Sequence, residues 1–477
     1  MGNTPDRPNI LFLFTDDQRF DTLHALGNDQ IHTPHMDALA QQGVAFTHAH
    51  IMGGTSGAVC MPSRAMLMTG RTLFHLEGAG EGIPTEHTLL GEWLQRHGYH
   101  TWGAGKWHNG PASYARSFCS GAEIFFGGME DHWNVPACHY DPTGRYESML
   151  PVCPDPYRSN DVVHKRGDHV TAGKHSSELF GEAAIQALAE YDGAAPFFLY
   201  IAFMAPHDPR TMPRQYLEMY DPDEIELPPN WAPRHPFDNG DLGVRDELLA
   251  ALPRTPQETR RHIAEYYAMI THLDAQIGRV LEALRAGGHA ENTLVVLAGD
   301  NGLALGQHGL MGKQNLYDHS VRVPLVLSGP GVPQGRRSGA HAYLSDIYPT
   351  LCELAGLPTP ETVEGRSLVP ALRDAGQPVR ESLYCAYRQF QRSVRDYRFK
   401  LIEYVVQGRR ATQLFDLLAD PWETANLAGD PAHAPILAHL RAELLRWRDA
   451  LDDRASAWGQ AFWEGYEATH ESATPTG

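Results

Sequence analysis

Three short, continuous apolar runs constrain the fold of this chain more than any other feature. They cover residues 9–14, 196–203 and 292–298, and polar residues lie within a few positions of the end of each. A strand that is apolar without alternation is typical of a sheet that helices cover on both faces. Helical periodicity over 177–191 and 260–285 provides helices for those faces. The sequence therefore predicts an α/β fold with a buried sheet.

Acidic and amide side chains follow the first and third runs directly. Asp16 and Asp17 come after the first run, and Asp300 and Asn301 come after the third. Open α/β sheets place their ligands at the carboxyl ends of the strands. Adjacent carboxylates repel each other, and a cation between them keeps both ionised. The pattern indicates a metal site, with a solvated turn as the alternative for the acidic pair.

A cysteine lies where a small-residue loop meets a predicted helix. The loop covers residues 53–57, Cys60 follows it, and the helix continues after Pro62. The N–H groups and the dipole at a helix N-terminus favour an anion there. Two interpretations stay open for Cys60, a nucleophile of low pKa or a small buried apolar residue.

Basic side chains and histidines supply further candidates. Lys106 and His108 follow another predicted strand, and residues two apart in an extended segment face the same way. His207 lies just after the run at 196–203. Glycines among residues 306–312 permit tight turns that bring Lys313 over the sheet edge.

The segment around Cys60 resembles the signature of the type I sulfatases. Residues 60–64 read Cys-Met-Pro-Ser-Arg, and residues 69–71 read Thr-Gly-Arg. Other segments that resemble the family extend the likeness over nearly the whole chain; they lie at 9–17, 105–108, 206–209, 299–302 and 397–427. The resemblance implies an alkaline-phosphatase-like α/β fold. This fold has a large mixed β-sheet flanked by helices and a smaller C-terminal subdomain of antiparallel sheet plus helix.

The resemblance also implies a cofactor chemistry. Cys60 would be oxidised to formylglycine by a formylglycine-generating enzyme, and the aldehyde would act as its hydrate. One hydroxyl attacks sulfur, and the second allows collapse to the aldehyde with release of sulfate. The implied metal ligands are the residue made from Cys60 together with Asp16, Asp17, Asp300 and Asn301. Such oxygen ligands suit Ca²⁺, with Mg²⁺ or Mn²⁺ as alternatives.

Catalytic roles follow from the same resemblance. Arg64 is expected to hold the hydrate, and Lys106 and Lys313 are expected to bracket the sulfate. His207 is expected to be the acid that protonates the leaving group, and His108 the base that triggers collapse. The two histidine roles can be exchanged.

The expected activity is hydrolysis of a sulfate monoester on a small molecule or an oligosaccharide, with a carbohydrate sulfate as the main hypothesis. One alternative is a phosphonate monoester or phosphodiester hydrolase on the same site. Some such relatives carry histidine where Asn301 stands, and the asparagine therefore favours a sulfatase. The other alternative is a non-catalytic, metal-stabilised binding protein, in which Cys60 stays a thiol.

Changes in composition divide the chain. We predict a catalytic domain over 1–375, with insertions at about 109–175 and 228–256, and an α+β subdomain over 376–477. The first insertion is expected to contact the substrate because it is rich in aromatic residues. Its basic residues either meet a sugar carboxylate or a second sulfate, or belong to a solvated loop; they are His164, Lys165, Arg166, His169, Lys174 and His175.

Charge and hydropathy exclude some partners. The net charge of -19 argues against a nucleic acid or an anionic membrane as partner. The chain has no run of about 18 apolar residues and no charged-then-apolar leader. Six scattered cysteines in 477 residues fit free thiols in a reducing compartment. We expect a cytoplasmic protein, or a periplasmic or secreted one if a leader was removed; the oligomeric state stays open.

Overall fold

The computed structural model describes residues 7–469. Its strands, in chain order, are β1 (Asn9–Thr15), β2 (Gly43–Phe46), β3 (Ala49–His50), β4 (Gly53–Gly54), β5 (His100–Lys106), β6 (Ser120–Phe125), β7 (Met149–Val152), β8 (Val163–Arg166), β9 (Phe197–Ala202), β10 (Thr293–Gly299), β11 (Arg322–Val323), β12 (Leu325–Ser328), β13 (Arg336–Ser338), β14 (Ala342–Tyr343), β15 (Leu383–Tyr387), β16 (Gln391–Arg395), β17 (Phe399–Val406) and β18 (Arg409–Asp416).

Helices connect and cover these strands. They are α1 (Pro34–Gln42), α2 (Cys60–Thr69), α3 (Leu90–Arg96), α4 (Pro111–Ser117), α5 (Ser176–Glu190), α6 (Arg214–Leu217), α7 (Pro256–Ala286), α8 (Asp318–Val321), α9 (Ile347–Leu354), α10 (Val369–Arg373), α11 (Ala434–Ala450) and α12 (Ala457–Ala468). Within 7–469, no helix is both long and apolar enough to cross a lipid bilayer.

Eight strands form the main sheet in the order β13-β2-β12-β10-β1-β9-β5-β6. The five from β10 to β6 are parallel, whereas β12 pairs antiparallel with both β10 and β2. All seven residues of β1 are buried, as expected for a strand covered on both faces. The predicted large mixed sheet is confirmed.

Helices cover both faces of the main sheet because β1 is apolar on each side. Leu11 and Leu13 pack in one cluster with apolar residues of α1, α5 and α7. Phe12 and Phe14 pack in the other cluster with residues of α2, α3 and α9. The two clusters hold β1 at the centre of the sheet, which fixes where its carboxyl end lies.

The register of the parallel strands brings four candidate residues to one edge. Thr15 at the end of β1 pairs with Gly299 at the end of β10, so Asp16 and Asp300 leave the sheet at the same level. Lys106 ends β5, and His207 lies five residues beyond Ala202, the end of β9. Strand pairing therefore determines which edge of the sheet carries the candidate residues.

A smaller sheet of five strands lies mostly in the C-terminal part, in the order β18-β17-β16-β15-β4. Its last four strands in sequence pair antiparallel, while β4 joins β15 in parallel from the N-terminal part. α11 packs against β16 and β17. The predicted C-terminal sheet-plus-helix subdomain is present, and the division of domains at residue 375 stays a prediction.

Two segments differ from the sequence-based expectations. Residues within 109–175 were expected to form an insertion, but β6 is an edge strand of the main sheet, paired with β5. β6 was hidden because only its last two residues are buried. The C-terminal end of the described chain forms α12, which no periodicity in the sequence indicated, and Phe462 and Trp463 are buried in it. Gly459 and Gly465 weaken the helical signal there, and tertiary packing overrides it.

Candidate functional site

The loop after β1 buries two carboxylates beside a third. Asp16 is fully buried and Asp17 is 3% exposed, with a positive φ of 60°. The N–H of Asp17 donates to Oδ1 of Asp300 at 3.0 Å. The N–H of Asp300 in turn donates to the carbonyl oxygen of Thr15 at 3.0 Å. Backbone hydrogen bonds therefore hold the three acids together at the sheet edge.

Two buried oxygen atoms of this acidic cluster have no hydrogen-bond partner among residues 7–469, Oδ1 of Asp16 and Oδ1 of Asn301. The amide nitrogen of Asn301 donates to Oδ1 of Asp17 at 2.7 Å, which leaves its oxygen free. Buried polar atoms usually have partners, and carboxylate and amide oxygens are the ligands that Ca²⁺ and Mg²⁺ prefer. The oxygen atoms of this cluster are therefore suitable ligands for a divalent cation.

Cys60 faces this cluster from the start of α2. It is 2% exposed, and ligand atoms of Asp16, Cys60 and Asp300 all lie within 4.8 Å of one another. Its Sγ lies 3.6 Å from Nζ of Lys106 and 3.4 Å from Nδ1 of His108. Burial raises the pKa of the Cys60 thiol in spite of the nearby Lys106. An unmodified Cys60 is therefore a poor source of thiolate.

Lys106 ends β5 and His108 lies just beyond it, and both side chains enter the site although His108 is not extended. The ammonium of Lys106 is fully buried and pairs with Oδ2 of Asp16. His108 has a positive φ of 67°, which turns the chain beside Cys60. Burial, and then the charge of Lys106, lower the pKa of His108 well below its usual range. A lowered pKa favours the neutral form of the His108 imidazole.

Arg64 lies one helical turn beyond Cys60 and is 1% exposed. Its Nε donates to Oδ2 of Asp300 at 2.9 Å, and a terminal nitrogen donates to the carbonyl oxygen of Lys106 at 2.8 Å. The guanidinium also lies 5.0 Å from the ring centre of Phe14. Arg64 thus positions Asp300 and the end of β5; its expected contact with the nucleophile stays a prediction.

Lys313 contacts the acidic cluster through Asp17, whereas Lys106 contacts it through Asp16. Its Nζ donates to Oδ1 of Asp17 at 2.6 Å, and the residue is 4% exposed. The carboxylate of Glu247 accepts hydrogen bonds from the N–H groups of Met311 at 3.0 Å and Gly312 at 2.9 Å. Glu247, in the second predicted insertion, therefore holds the loop that presents Lys313.

His207 completes the ring of candidates. Its Nδ1 donates to the carbonyl oxygen of Asp208 at 2.7 Å. Its Nε2 lies 3.7 Å from Oδ2 of Asp17, so this nitrogen faces the acidic cluster. His207 is 3% exposed. The hydrogen bond donated by Nδ1 fixes the ring so that Nε2 is the atom available for proton transfer.

Two further histidines, His132 and His175, support the loop that carries His207. His132, from the first predicted insertion, is fully buried, and its Nε2 lies 2.9 Å from the carbonyl oxygen of His207. Its Nδ1 lies 2.6 Å from the hydroxyl of Ser176. The ring of His175 stacks on it at 5.0 Å, and Nε2 of His175 lies 2.9 Å from the carbonyl oxygen of Thr211. The two stacked rings therefore hold both ends of the loop.

Opposite charges balance within the site. Three cations, Arg64, Lys106 and Lys313, surround the three carboxylates. Burial alone would raise the pKa of Asp16, but Lys106 and the other cations bring it below its usual range. Burial, and then the charge of Asp16, raise the pKa of Asp300 to about 7. The residues alone therefore carry little net charge, and binding of a cation would make the site positive.

The structure brings together every candidate site residue from the sequence. Sequence reasoning missed the supporting residues His132, Asp208 and Glu247, which do not follow a buried strand directly. A buried polar residue on an irregular loop gives no periodic signal. Asp208 had one weak signal, its position next to His207.

The chain is similar to known proteins along most of its length. The family model described as Sulfatase matches residues 8–357, and a model described as N-sulphoglucosamine sulphohydrolase, C-terminal, matches residues 306–450. The chain is 30% identical over 458 residues to the ulvan-active sulfatase of Formosa agariphila, covering 92% of this chain and 81% of that protein.

Two further likenesses broaden the comparison. The chain is 25% identical over 500 residues to an N-acetylglucosamine-6-O-sulfatase of Bacteroides thetaiotaomicron, covering 90% of this chain and 84% of that protein. Among solved structures, the phosphonate monoester hydrolase of Agrobacterium radiobacter matches with a TM-score of 0.72 at 25% identity. That match covers 93% of this chain and 96% of the other. The fold is thus shared by enzymes that act on different esters.

Proposed function

Since the chain belongs to the sulfatase family of sulfuric ester hydrolases, we propose that it hydrolyses the sulfate monoester of a carbohydrate. We further propose that Cys60 is converted to formylglycine by a formylglycine-generating enzyme, and that the divalent cation is Ca²⁺. One observation carries the proposal. Cys60 lies among Asp16, Asp300, Lys106 and His108, where an anionic ester meets both a nucleophile and cations.

Relatives support a sugar as the substrate. The N-acetylglucosamine-6-O-sulfatase and the ulvan-active sulfatase both align along most of this chain. The C-terminal family model also carries the name of an enzyme that acts on a sulfated glucosamine.

Two implied groups would supply chemistry that the unmodified side chains lack. Asp16, Asp17, Asp300 and Asn301 would hold the cation, which supplies positive charge against the sulfate oxygens when bound. Formylglycine at Cys60 would supply a hydrated aldehyde as nucleophile. A site with three cations and three carboxylates has no excess positive charge of its own, and this supports the need for the metal ion.

The chain's own residues bind and orient the ester. The ammonium groups of Lys106 and Lys313 lie on two sides of the acidic cluster and would each donate to a sulfate oxygen. Arg64 keeps the carboxylate of Asp300 in place. Preorganised charges of this kind stabilise a transition state without further rearrangement.

His207 is the proposed acid and His108 the proposed base. Nε2 of His207 faces the acidic cluster and can deliver a proton to the departing oxygen. Nδ1 of His108 lies beside residue 60 and can accept a proton there. Lys313 lies close enough to assist the acid through Asp17.

A comparison of esters tests the proposed function. We expect protein coproduced with a formylglycine-generating enzyme to hydrolyse 4-nitrophenyl sulfate with a kcat/KM at least tenfold above that for 4-nitrophenyl phenylphosphonate, and to desulfate at least one sulfated monosaccharide. Mass spectrometry of the peptide spanning Cys60 should show the aldehyde. A faster reaction with the phosphonate would support the phosphonate hydrolase instead. An unmodified thiol in fully active protein would exclude the proposed nucleophile.

Replacing His207 should make the rate depend on the leaving group. For His207→Ala we expect kcat on a sugar sulfate to fall about 100-fold or more, the usual contribution of a general acid. The rate on 4-nitrophenyl sulfate should fall far less, since nitrophenolate leaves without a proton. The matched variant His108→Ala should lower both rates alike. Equal losses for His207→Ala on both substrates would assign the acid to another residue.

Replacing His132 should have a smaller effect of the same kind. His132→Leu removes the donor to the carbonyl oxygen of His207, so the acid loses its support. We expect kcat on a sugar sulfate to fall about tenfold, with the rate on 4-nitrophenyl sulfate nearly unchanged. His132→Gln retains an N–H donor and should recover most of the rate. If the glutamine variant is as slow as the leucine variant, the hydrogen bond is not the cause.

A further inference from the structure

A half-exposed arginine lies on the outer side of the site. Arg245 begins a 3-10 helix, Arg245–Leu249, and 46% of its side chain is exposed. One terminal nitrogen pairs with the carboxylate of Asp208, and the other lies 3.4 Å from Oδ1 of Asp246. These two carboxylates are only 7% and 14% exposed. Arg245 is thus anchored from below and keeps part of its guanidinium toward solvent.

The anchoring carboxylates belong to the loops that carry the proposed reaction groups. Asp208 follows His207 directly, and its carbonyl oxygen accepts the hydrogen bond from Nδ1 of that histidine. Oδ2 of Asp246 accepts a hydrogen bond at 2.7 Å from Gln314, the neighbour of Lys313. Arg245 therefore bridges the acid and the sulfate-binding lysine. A substrate that extends outward from its sulfate between these two loops would meet Arg245.

Arg245, Asp208 and Asp246 form what we call the mouth of the site, and the charges there are balanced. Arg245 and Arg210 both attract Asp208, and Asp246 supplies the second carboxylate. A second anion on the substrate would have to compete with Asp208 for Arg245. A sugar hydroxyl has no such conflict, because it can donate to a carboxylate while it accepts from a guanidinium. The mouth therefore suits a neutral polyol better than an anion.

Three of the six basic candidates from the first predicted insertion are paired with acids and are therefore less available to an anion. The pairs are Lys165 with Glu130 at 2.5 Å, His169 with Glu123 at 2.9 Å, and Lys174 with Glu182 of α5 at 2.6 Å. These contacts favour the solvated-loop interpretation of that segment.

We propose that Arg245, Asp208 and Asp246 form a subsite that binds hydroxyl groups on the leaving-group sugar of a singly sulfated, otherwise neutral carbohydrate. This inference rests on the proposed function. It assigns substrate recognition to the second predicted insertion and leaves the sulfur chemistry to the residues around Cys60.

The test compares KM values for Arg245→Gln on two kinds of ester. Monosaccharides with one sulfate and no other charge are assayed beside doubly sulfated and uronate-bearing ones, with 4-nitrophenyl sulfate as the sugar-free substrate. We expect the protein without this substitution to have its lowest KM among the sugars for a singly sulfated neutral one. Arg245→Gln should raise KM for that sugar about 10- to 100-fold, the value of a charge-assisted hydrogen bond, while kcat changes less than threefold. KM for the aryl sulfate should hardly change.

Matched controls separate the possible outcomes. Arg214→Gln removes another exposed, carboxylate-paired arginine, on α6 and outside the site, and should change neither KM. A fall in kcat rather than a rise in KM would show that Arg245 acts through His207 and would overturn the subsite. So would a preference for doubly charged sugars, or equal shifts on both substrates. If no sulfate ester of either kind is hydrolysed, the proposed function itself fails.

Discussion

Cys60→Ala is expected to abolish sulfate ester hydrolysis while the fold stays intact. Removing the nucleophile of a covalent catalyst commonly costs about 10⁴-fold or more in kcat. Cys60 is small, so its truncation to alanine leaves only a minor cavity. The measurement is the initial rate on 4-nitrophenyl sulfate beside a thermal unfolding curve. The rate should be lost, and the midpoint temperature should move by only a few degrees.

A matched control is available in Cys352, another fully buried cysteine, on α9. Cys352→Ala removes the same atoms from the core and should leave the rate unchanged. Cys60→Ser should keep a hydroxyl that can attack once but lacks the second hydroxyl that releases sulfate. We therefore expect sulfate to accumulate on residue 60, detectable by mass spectrometry. Full hydrolytic activity in Cys60→Ala would exclude Cys60 as the nucleophile. Absence of hydrolysis in the unsubstituted protein, with Cys60 found as a thiol, would instead support the non-catalytic, metal-stabilised binding protein.

Asp300→Ala is expected to remove metal binding and to destabilise the protein at the same time. The substitution leaves the guanidinium of Arg64 buried with its nearest carboxylate, Asp16, 3.6 Å away. Breaking a buried pair in this way costs about 3–5 kcal/mol. Calcium affinity should fall by more than about 100-fold, because even groups that only support a metal ligand contribute up to that factor.

Thermal unfolding with and without calcium separates these two effects. A ligand at 100 times its Kd stabilises the folded state by about 2.7 kcal/mol, so the unsubstituted protein should gain a clear rise in Tm. Asp300→Ala should lose that rise. Asp274→Asn is the control, since Asp274 is a buried acid that caps α1 away from the site. It should lower Tm yet keep the calcium-dependent rise. A calcium-dependent rise retained in Asp300→Ala would exclude Asp300 as a ligand.

Strand positions could be predicted because their signal is local. β1, β9 and β10 are continuous apolar runs, and their bounds in the structure differ from the predicted ones by a residue or two. The predicted long helix at 260–285 lies within α7. Each of these elements is buried along its length or along one face. Its buried positions are apolar, and they therefore form a continuous run or recur with the helical period in the sequence.

Elements that depend on distant partners could not be predicted in this way. β6 is half exposed and joins the sheet only because β5 offers a free edge. α12 contains two glycines and is held by packing of Phe462 and Trp463. Their own residues do not favour these structures strongly, and only the rest of the fold makes them stable.

The sequence by itself determined the set of chemical groups at the site: adjacent acids and an amide after buried strands, a cysteine at a helix start, and a lysine and a histidine two residues apart. Tertiary structure alone decided how those groups meet. Arg64 contacts Asp300 across 236 residues of sequence, and Lys313 contacts Asp17 across 296. It also placed Arg245 at the mouth, because ion pairs form between loops that strand order brings together, and no local pattern records that order.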